Sequence, residues 1–197
     1  MSSVEDVANP LQTLALWIAE AQADGLPEPS AMALATTSVD GWPSVRIVLC
    51  RGLDDRGVRF FTNYESRKGR ELDATGRAAA TFHWAVRQRQ VRVEGSVVHA
   101  TAEESDRYFH SRPRGSQIAS AVSPQSRPIA SLDELRGRCA ALAAGAEGGP
   151  IERPAWWGGY WLVARSVELW LGGADRLHDR VRYELEAGVW RGVRLGP

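Results

Sequence analysis

Arg176-Leu177-His178-Asp179-Arg180 gathers two guanidiniums and an imidazole within a short run. On a β-strand, alternation would send Arg176, His178 and Arg180 to one face, with Leu177 and Asp179 on the other. Cations so close repel unless an anion compensates, and the planar arginine fork suits a phosphate. A solvated, charge-rich edge strand is the alternative. A second cationic point lies in Thr62-Asn63-Tyr64-Glu65-Ser66-Arg67-Lys68, which runs from a strand end into a helix start. Ser66 is a candidate cap, the N–H groups beyond it favour an anion, and Arg67 and Lys68 add full charges. Lys68 is the single lysine in a chain with 23 arginines, which makes it a candidate for function.

Other residues could share such work. Arg46 sits in an otherwise apolar strand, Ile47, Val48 and Leu49 following it, so it must pair with a carboxylate or bind a ligand anion. Tyr108 and Arg112 share a helix face, Ser116 follows in the next turn, and the three could hold one phosphate. Gln90 could hydrogen-bond a heterocycle edge, and Trp170 could wall a flat ligand, although surface and core roles are the ordinary ones for such residues. Three places thus look like phosphate sites, yet there is no P-loop or Rossmann glycine pattern. No His/Cys/carboxylate spacing suggests a metal, and no Gly-x-Ser-x-Gly elbow suggests a hydrolase. Two phosphorylated small molecules held together would account for the surplus of anion-seeking groups.

These residues need a scaffold. Asn9-Pro10 caps an amphipathic helix predicted to about Asp24. Ala31–Thr37 and Ser44–Cys50 read as a hairpin around Asp40-Gly41, with a strand at Gly57–Asn63 and a short helix at Ser66–Ala74. Arg77–Trp84 and Gln88–Ala100 read as an antiparallel pair. Capping boxes at Thr101-Ala-Glu-Glu104 and Ser131-Leu-Asp-Glu134 open helices to about Ser111 and Ala146. Three strand-like runs, Gly159–Leu171, Arg176–Leu185 and Gly188–Leu195, close the chain. About seven strands with a few helices predict an α+β domain, an antiparallel barrel with helices packed outside.

The bulk properties agree. A length of 197 residues suits one domain with a real core, and 44% hydrophobic with 24% charged residues is ordinary for a soluble protein. Basic and acidic residues balance at 24 each, which does not favour nucleic acid. Cys50 and Cys139 are isolated and read as small buried residues. No run is long and apolar enough to span a membrane, and Met1–Asp6 has none of the apolar character of a signal peptide, so a cytoplasmic protein is expected. Residues 1–8 are expected to be a flexible N-terminus.

In this setting the chain resembles the pyridoxamine 5′-phosphate oxidase family. The resemblance rests on motifs in family order: Arg46-Ile-Val-Leu, Phe61-Thr-Asn with Ser66-Arg-Lys, Arg89-Gln-Val, Tyr108-Phe-His-Ser-Arg-Pro-Arg114, Ser116-Gln-Ile, Gln125-Ser, Trp157-Gly-Gly, and Trp170-Leu-Gly-Gly followed by Arg176-Leu-His-Asp-Arg180. It implies an FMN-binding split β-barrel that dimerises, with flavin sites between the subunits. By carry-over, Arg46, Ile47, Val48, Leu49, Arg67, Lys68, Gln125 and Ser126 would hold FMN, mostly its phosphate. Phe61, Thr62, Gln90, Trp170 and Arg180 would complete the flavin pocket. Tyr108, Arg112, Ser116 and Arg51 would contact the substrate phosphate, with Arg176 and His178 over the reacting carbon. The implied reaction oxidises pyridoxamine or pyridoxine 5′-phosphate to pyridoxal 5′-phosphate, with O2 reoxidising the flavin to give hydrogen peroxide. A related phenazine-biosynthesis oxidase, acting on a reduced tricyclic compound, and a non-catalytic flavin or pyridoxal-phosphate binder are the alternatives. Three departures stand out: Arg51 where the family usually has lysine, Phe61 where it usually has tyrosine, and no Arg-x-x-Tyr pattern, expected of an N-terminal arm, in the residues before Asn9.

Overall fold

The structure, a computed structural model, describes residues 7–197, so the expectations placed on Met1–Asp6 lie outside the described residues. Val7, expected in the flexible leader, packs against the main core. The first helix, α1 (Pro10–Ala23), starts as its sequence requires: the Asn9 side chain accepts the Leu11 N–H and proline occupies the first turn. It buries Leu11, Leu14, Trp17 and Ala21 against the sheet.

The strands are β1 (Ala31–Thr37), β2 (Pro43–Leu49), β3 (Gly52–Asp54), β4 (Gly57–Asn63), β5 (Arg77–Trp84), β6 (Arg89–His99), β7 (Trp157–Leu171), β8 (Asp179–Glu186) and β9 (Val189–Leu195). Between them lie α2 (Arg67–Thr75), α3 (Ala102–Ser111), α4 (Arg114–Val122) and α5 (Leu132–Gly145). All strand pairs are antiparallel, in the order β2-β1-β5-β6-β7-β4-β3, with β8 on β7 and β9 on β8. The long strand β7 organises the sheet. One edge pairs with β6 over nearly its whole length; the other pairs first with β4 (Trp157–Val163), then with β8 (Ser166–Leu171). The sheet forks there, curling as a split α+β barrel around Leu34, Phe60, Phe82, Val91, Leu162 and Leu169, all fully buried. A smaller core under α3 and α4 joins Phe109, Ile118, Ile151 and Trp157.

The fork needs a bulge at Glu94/Gly95, where a Cβ on Gly95 would lie 1.8 Å from the Val163 carbonyl oxygen. Gly69, in the first turn of α2, is needed for a similar reason: a Cβ would lie 2.0 Å from the Tyr64 carbonyl oxygen. That close approach sets α2, and with it Lys68, tightly against the end of β4.

Three expectations need correction. β8 begins at Asp179, so Arg176, His178 and Arg180 do not alternate along one strand. Arg176 instead ends a short 3-10 turn, Ala174–Arg176, where Asp175 (φ 54°) and Arg176 (φ 62°) are both left-handed. Two consecutive residues of that conformation cannot belong to a strand. Second, the segment holding Ser116 is a full helix, α4, begun by Pro113. Third, nine strands form among the described residues rather than about seven: the eight strand-like runs of the sequence are joined by Gly52–Asp54, which pairs with β4.

Candidate functional site

A cavity of about 320 Å³ opens between β2, β4, α2 and the α3–α4 corner. Its cationic end is built from the start of α2. Ser66 caps the helix by accepting the Gly69 N–H, which holds Lys68 inward against Thr62 and Gln125. The Lys68 ammonium, largely buried, donates to Gln125 Oε1 (2.8 Å) and Thr62 Oγ1 (3.0 Å). Burial, and then the neighbouring charge of Arg46, lower its pKa to about 8. No ion pair between Lys68 and a carboxylate forms among the described residues. A buried cation with only neutral acceptors is a site prepared for an anion.

Arg46 comes from β2, whose alternation is inverted relative to an ordinary surface strand. Val45 and Ile47 point outward and are 68% and 66% exposed, while Ser44, Arg46 and Val48 turn inward. The Arg46 guanidinium donates to Thr36 Oγ1 (2.6 Å), Ser44 Oγ (2.6 Å) and the Leu34 carbonyl (3.1 Å), and reaches Glu71 at 3.5 Å. It meets a carboxylate, one of the two roles open to it in the sequence, and it also lines the cavity. Glu71 is buried, which alone would raise its pKa, but hydrogen bonds from Thr36, Ser44 and Arg67 hold it down to about 2.

The opposite wall is aromatic. Phe61 stacks on Tyr108 with ring centroids 4.0 Å apart and on Trp157 at 5.7 Å, the planes within 22° and 12° of parallel. Arg112 lies 4.8 Å over the Trp157 ring and donates to Ser120 Oγ at 2.9 Å. Burial depresses its pKa. Ile47, Val48, Leu49 and exposed Arg51 complete the rim. Of the residues expected near this site, three do not line it. Arg67 is turned onto Glu71 (2.8 Å), Ser116 lies one turn before Ser120 on α4, and exposed Ser126 (φ 68°) follows Gln125.

The remaining candidates form a second group elsewhere. Gln90 on β6 pairs with Trp170 on β7, and Trp170 pairs with Arg180 on β8. Arg180 Nε donates to the buried carboxylate of Glu168 at 3.0 Å, and its NH1 donates to the Gly196 carbonyl at 2.9 Å. His178 lies against Trp170, ring centroids 4.6 Å apart, and its Nδ1 accepts the Gly173 N–H at 3.2 Å. Arg176 is exposed. None of these five residues lines the cavity. Thr62 pairs with Gly158 at one end of β7 and Trp170 lies twelve residues further on, roughly 40 Å of strand at about 3.3 Å per residue.

Three residues of the site were not singled out from the sequence. Ser120 stands four after Ser116, a helical spacing readable once α4 is recognised. Trp157 was visible only as part of a Trp-Gly-Gly run. Glu71, four residues after Arg67, carried the signal of an i,i+4 ion pair and nothing to show that it also reaches Arg46.

Comparison with known proteins bears on this geometry. Residues 18–157 match the family model described as pyridoxamine 5′-phosphate oxidase, and residues 157–197 match the pyridoxine 5′-phosphate oxidase C-terminal dimerisation region. The chain is 50% identical over 194 residues to a pyridoxine/pyridoxamine 5′-phosphate oxidase from Cupriavidus pinatubonensis, covering 98% of this chain and 91% of that protein. It is 48% identical over 189 residues to one from Rubrobacter xylanophilus, covering 96% and 87%. Among solved structures, PhzG from Burkholderia lata 383, in complex with tetrahydrophenazine-1-carboxylic acid, superposes with a TM-score of 0.91 at 34% identity over the whole of both chains. An FMN-binding protein from Nostoc punctiforme, 16% identical with a TM-score of 0.78 and covering 98% and 100%, shares the fold. With this barrel and these matches along its length, the chain belongs to the pyridoxamine 5′-phosphate oxidase family.

Proposed function

We propose that this protein is an FMN-dependent oxidase that converts pyridoxine or pyridoxamine 5′-phosphate to pyridoxal 5′-phosphate in the cytoplasm, its 197 residues acting as one domain. The carrying observation is one cavity with buried Lys68 and half-buried Arg46 at one end and the Phe61–Tyr108–Trp157 wall with Arg112 at the other. A cation cluster beside a flat apolar wall suits a phosphorylated ring compound, and this donor set fits FMN. Arg46 and Lys68, supported by Arg67, Gln125 and Ser126, would take its phosphate. Phe61, Thr62 and the Ile47–Leu49 segment would flank its ring. Bound FMN supplies the two-electron redox chemistry.

The chain's own residues bind, orient and hold protons. Tyr108, Arg112 and Ser116, with Arg51 at the rim, would hold the substrate phosphate, and Arg176 and His178 would position the carbon that is oxidised. Because His178 Nδ1 accepts the Gly173 N–H, the neutral ring carries its proton on Nε2. His178 is then a hydrogen-bond donor to the substrate rather than its base. With the alcohol substrate, two electrons and two protons pass from substrate to O2, giving the aldehyde and hydrogen peroxide. With the amine, water hydrolyses the resulting imine and ammonia leaves.

The working form is a homodimer in which the β7–β8 end of one copy closes the cavity of the other. Two facts support this. Gln90, Trp170, Arg176, His178 and Arg180 are far from the cavity of their own chain. The outer face of β2 also presents apolar Val45 and Ile47, which a free surface would leave in water. Oxygen consumption by FMN-loaded protein tests the reaction. Turnover with the phosphorylated B6 vitamers is expected; turnover only with dihydrophenazine carboxylates would assign the substrate to the phenazine oxidases, and none with either would refute the oxidase reading.

A further inference from the structure

We propose that Glu71 is a positioning residue for the anion site, fixing the guanidiniums of Arg46 and Arg67 and setting the net charge of the cluster to that of a phosphate dianion. The inference rests on the FMN reading above. A carboxylate next to a phosphate site would repel its ligand, so its presence there needs an explanation. Its contacts supply one. Oε1 accepts Arg67 Nε at 2.8 Å, from α2 itself. Oε2 accepts Thr36 Oγ1 (2.5 Å) from β1 and Ser44 Oγ (2.7 Å) from β2, and lies 3.5 Å from Arg46.

The two hydroxyls matter because each has one proton. Both protons are committed to Glu71, so the lone pairs of Thr36 and Ser44 are left to accept, at 2.6 Å each, from the two terminal nitrogens of Arg46. Both ends of the Arg46 fork are thereby held through Glu71, by way of two hydroxyls. The same carboxylate holds Arg67 from the other side. Without it, Arg46, Arg67 and Lys68 would face one another as three cations; with it the formal charge is plus two. A phosphate monoester carries about −1.5 to −2 at neutral pH, so the cluster is neutralised by its ligand rather than left with a surplus. Glu71→Gln keeps the size but places an N–H2 group among donors, so either Arg67 loses its acceptor or the two hydroxyls that hold Arg46 lose theirs.

The test compares FMN with riboflavin, which lacks the phosphate, binding to the flavin-free full-length protein and followed by quenching of flavin fluorescence. Wild-type protein is expected to prefer FMN. Glu71→Gln should reduce that preference by about tenfold or more, while riboflavin affinity stays nearly unchanged. In an Arg46→Ala background the same substitution should cost clearly less, since its main intermediary is gone. An undiminished FMN preference, or equal loss for both ligands, would overturn the proposal, the latter by giving Glu71 a merely structural role. Should Glu71→Gln fail to fold, Glu71→Asp decides: its carboxylate is retained but withdrawn, and unaltered FMN preference would again overturn it. A wild-type protein without preference for FMN would instead remove the FMN reading itself.

Discussion

The cavity at the start of α2 and the end of the sheet at β7–β8 both carry cations and an aromatic wall, yet they are built in opposite ways. In the cavity, Lys68 and Glu71 are buried, Arg46 is largely covered, and the polar groups that orient them belong to the same chain. At the sheet end, Arg176 is exposed, Leu177 is 70% exposed, and two successive non-glycine residues adopt left-handed conformations that cost about 1–2 kcal/mol each. Arg180 is braced there by Glu168 and Gly196, and His178 by the Gly173 N–H and the Trp170 ring. The cavity can receive an anion without rearranging, because its cations are already held. The sheet end carries strain and open surface, which contacts with a second copy would offset. On the two-chain reading proposed above, folding would finish one half of the site and assembly the other.

That contrast can be broken most decisively by mixing variants. Arg112→Ala disables the cavity and Arg176→Ala the sheet end, and each alone is expected to lose most activity. Dimers formed from an equal mixture of the two should recover about a quarter of wild-type turnover, since half are hybrids with one intact site of two. No recovery in hybrids confirmed by mass would refute the two-chain site.

Arg176→Ala by itself should lower turnover about a hundredfold through misplacement of the substrate, with flavin absorbance retained. Arg180→Ala, which leaves Glu168 with Arg92 as its remaining ion-pair partner, should instead lower FMN occupancy. The reverse pattern would show the sheet end divided wrongly between substrate and cofactor.

Lys68→Ala sharpens the other half. Loss of a charge-assisted contact of about 1.5–3 kcal/mol should weaken FMN binding roughly ten- to hundredfold in a fluorescence titration. The pH dependence gives an independent reading. The folded pKa of Lys68 is depressed, to about 8 from 10.5, so its charged form costs stability in the empty site, a cost that fades as pH rises from 8 towards 10.5. A bound phosphate favours the charged form. Binding above pH 8 therefore takes up a proton, and affinity should fall by up to ~tenfold per pH unit. Lys68→Ala should flatten that slope; an equal slope in both proteins would exclude Lys68 as its source.

The smallest effect is expected at Phe61. Phe61→Tyr returns the hydroxyl usual in the family to a ring already stacked on Tyr108 and Trp157. FMN affinity should rise by no more than about tenfold, the value of one neutral hydrogen bond. A larger change, measured in the same titration, would mean that the stack itself has moved.

What the sequence determined by itself was mostly local. The Asn9 and Ser66 caps, the Thr101 capping box, the hairpin around Asp40-Gly41 and the isolation of Lys68 each depend on neighbours a few residues away, and each is found in the structure or in the composition. The ordered motifs were enough to reveal the family. Alternation misled at Arg176–Arg180, because it holds only while the backbone stays extended, and the left-handed pair at Asp175 and Arg176 ends that condition. Ser120 stayed hidden behind an unrecognised helix. Tertiary structure alone could decide that Glu71 meets a residue 25 positions away, that β7 is shared between β4 and β8, and that the candidate residues fall into two separated groups. Those facts depend on which strands pair and how the sheet curls. Strand pairing is a choice among distant partners of similar local preference, and burial of the common core settles it.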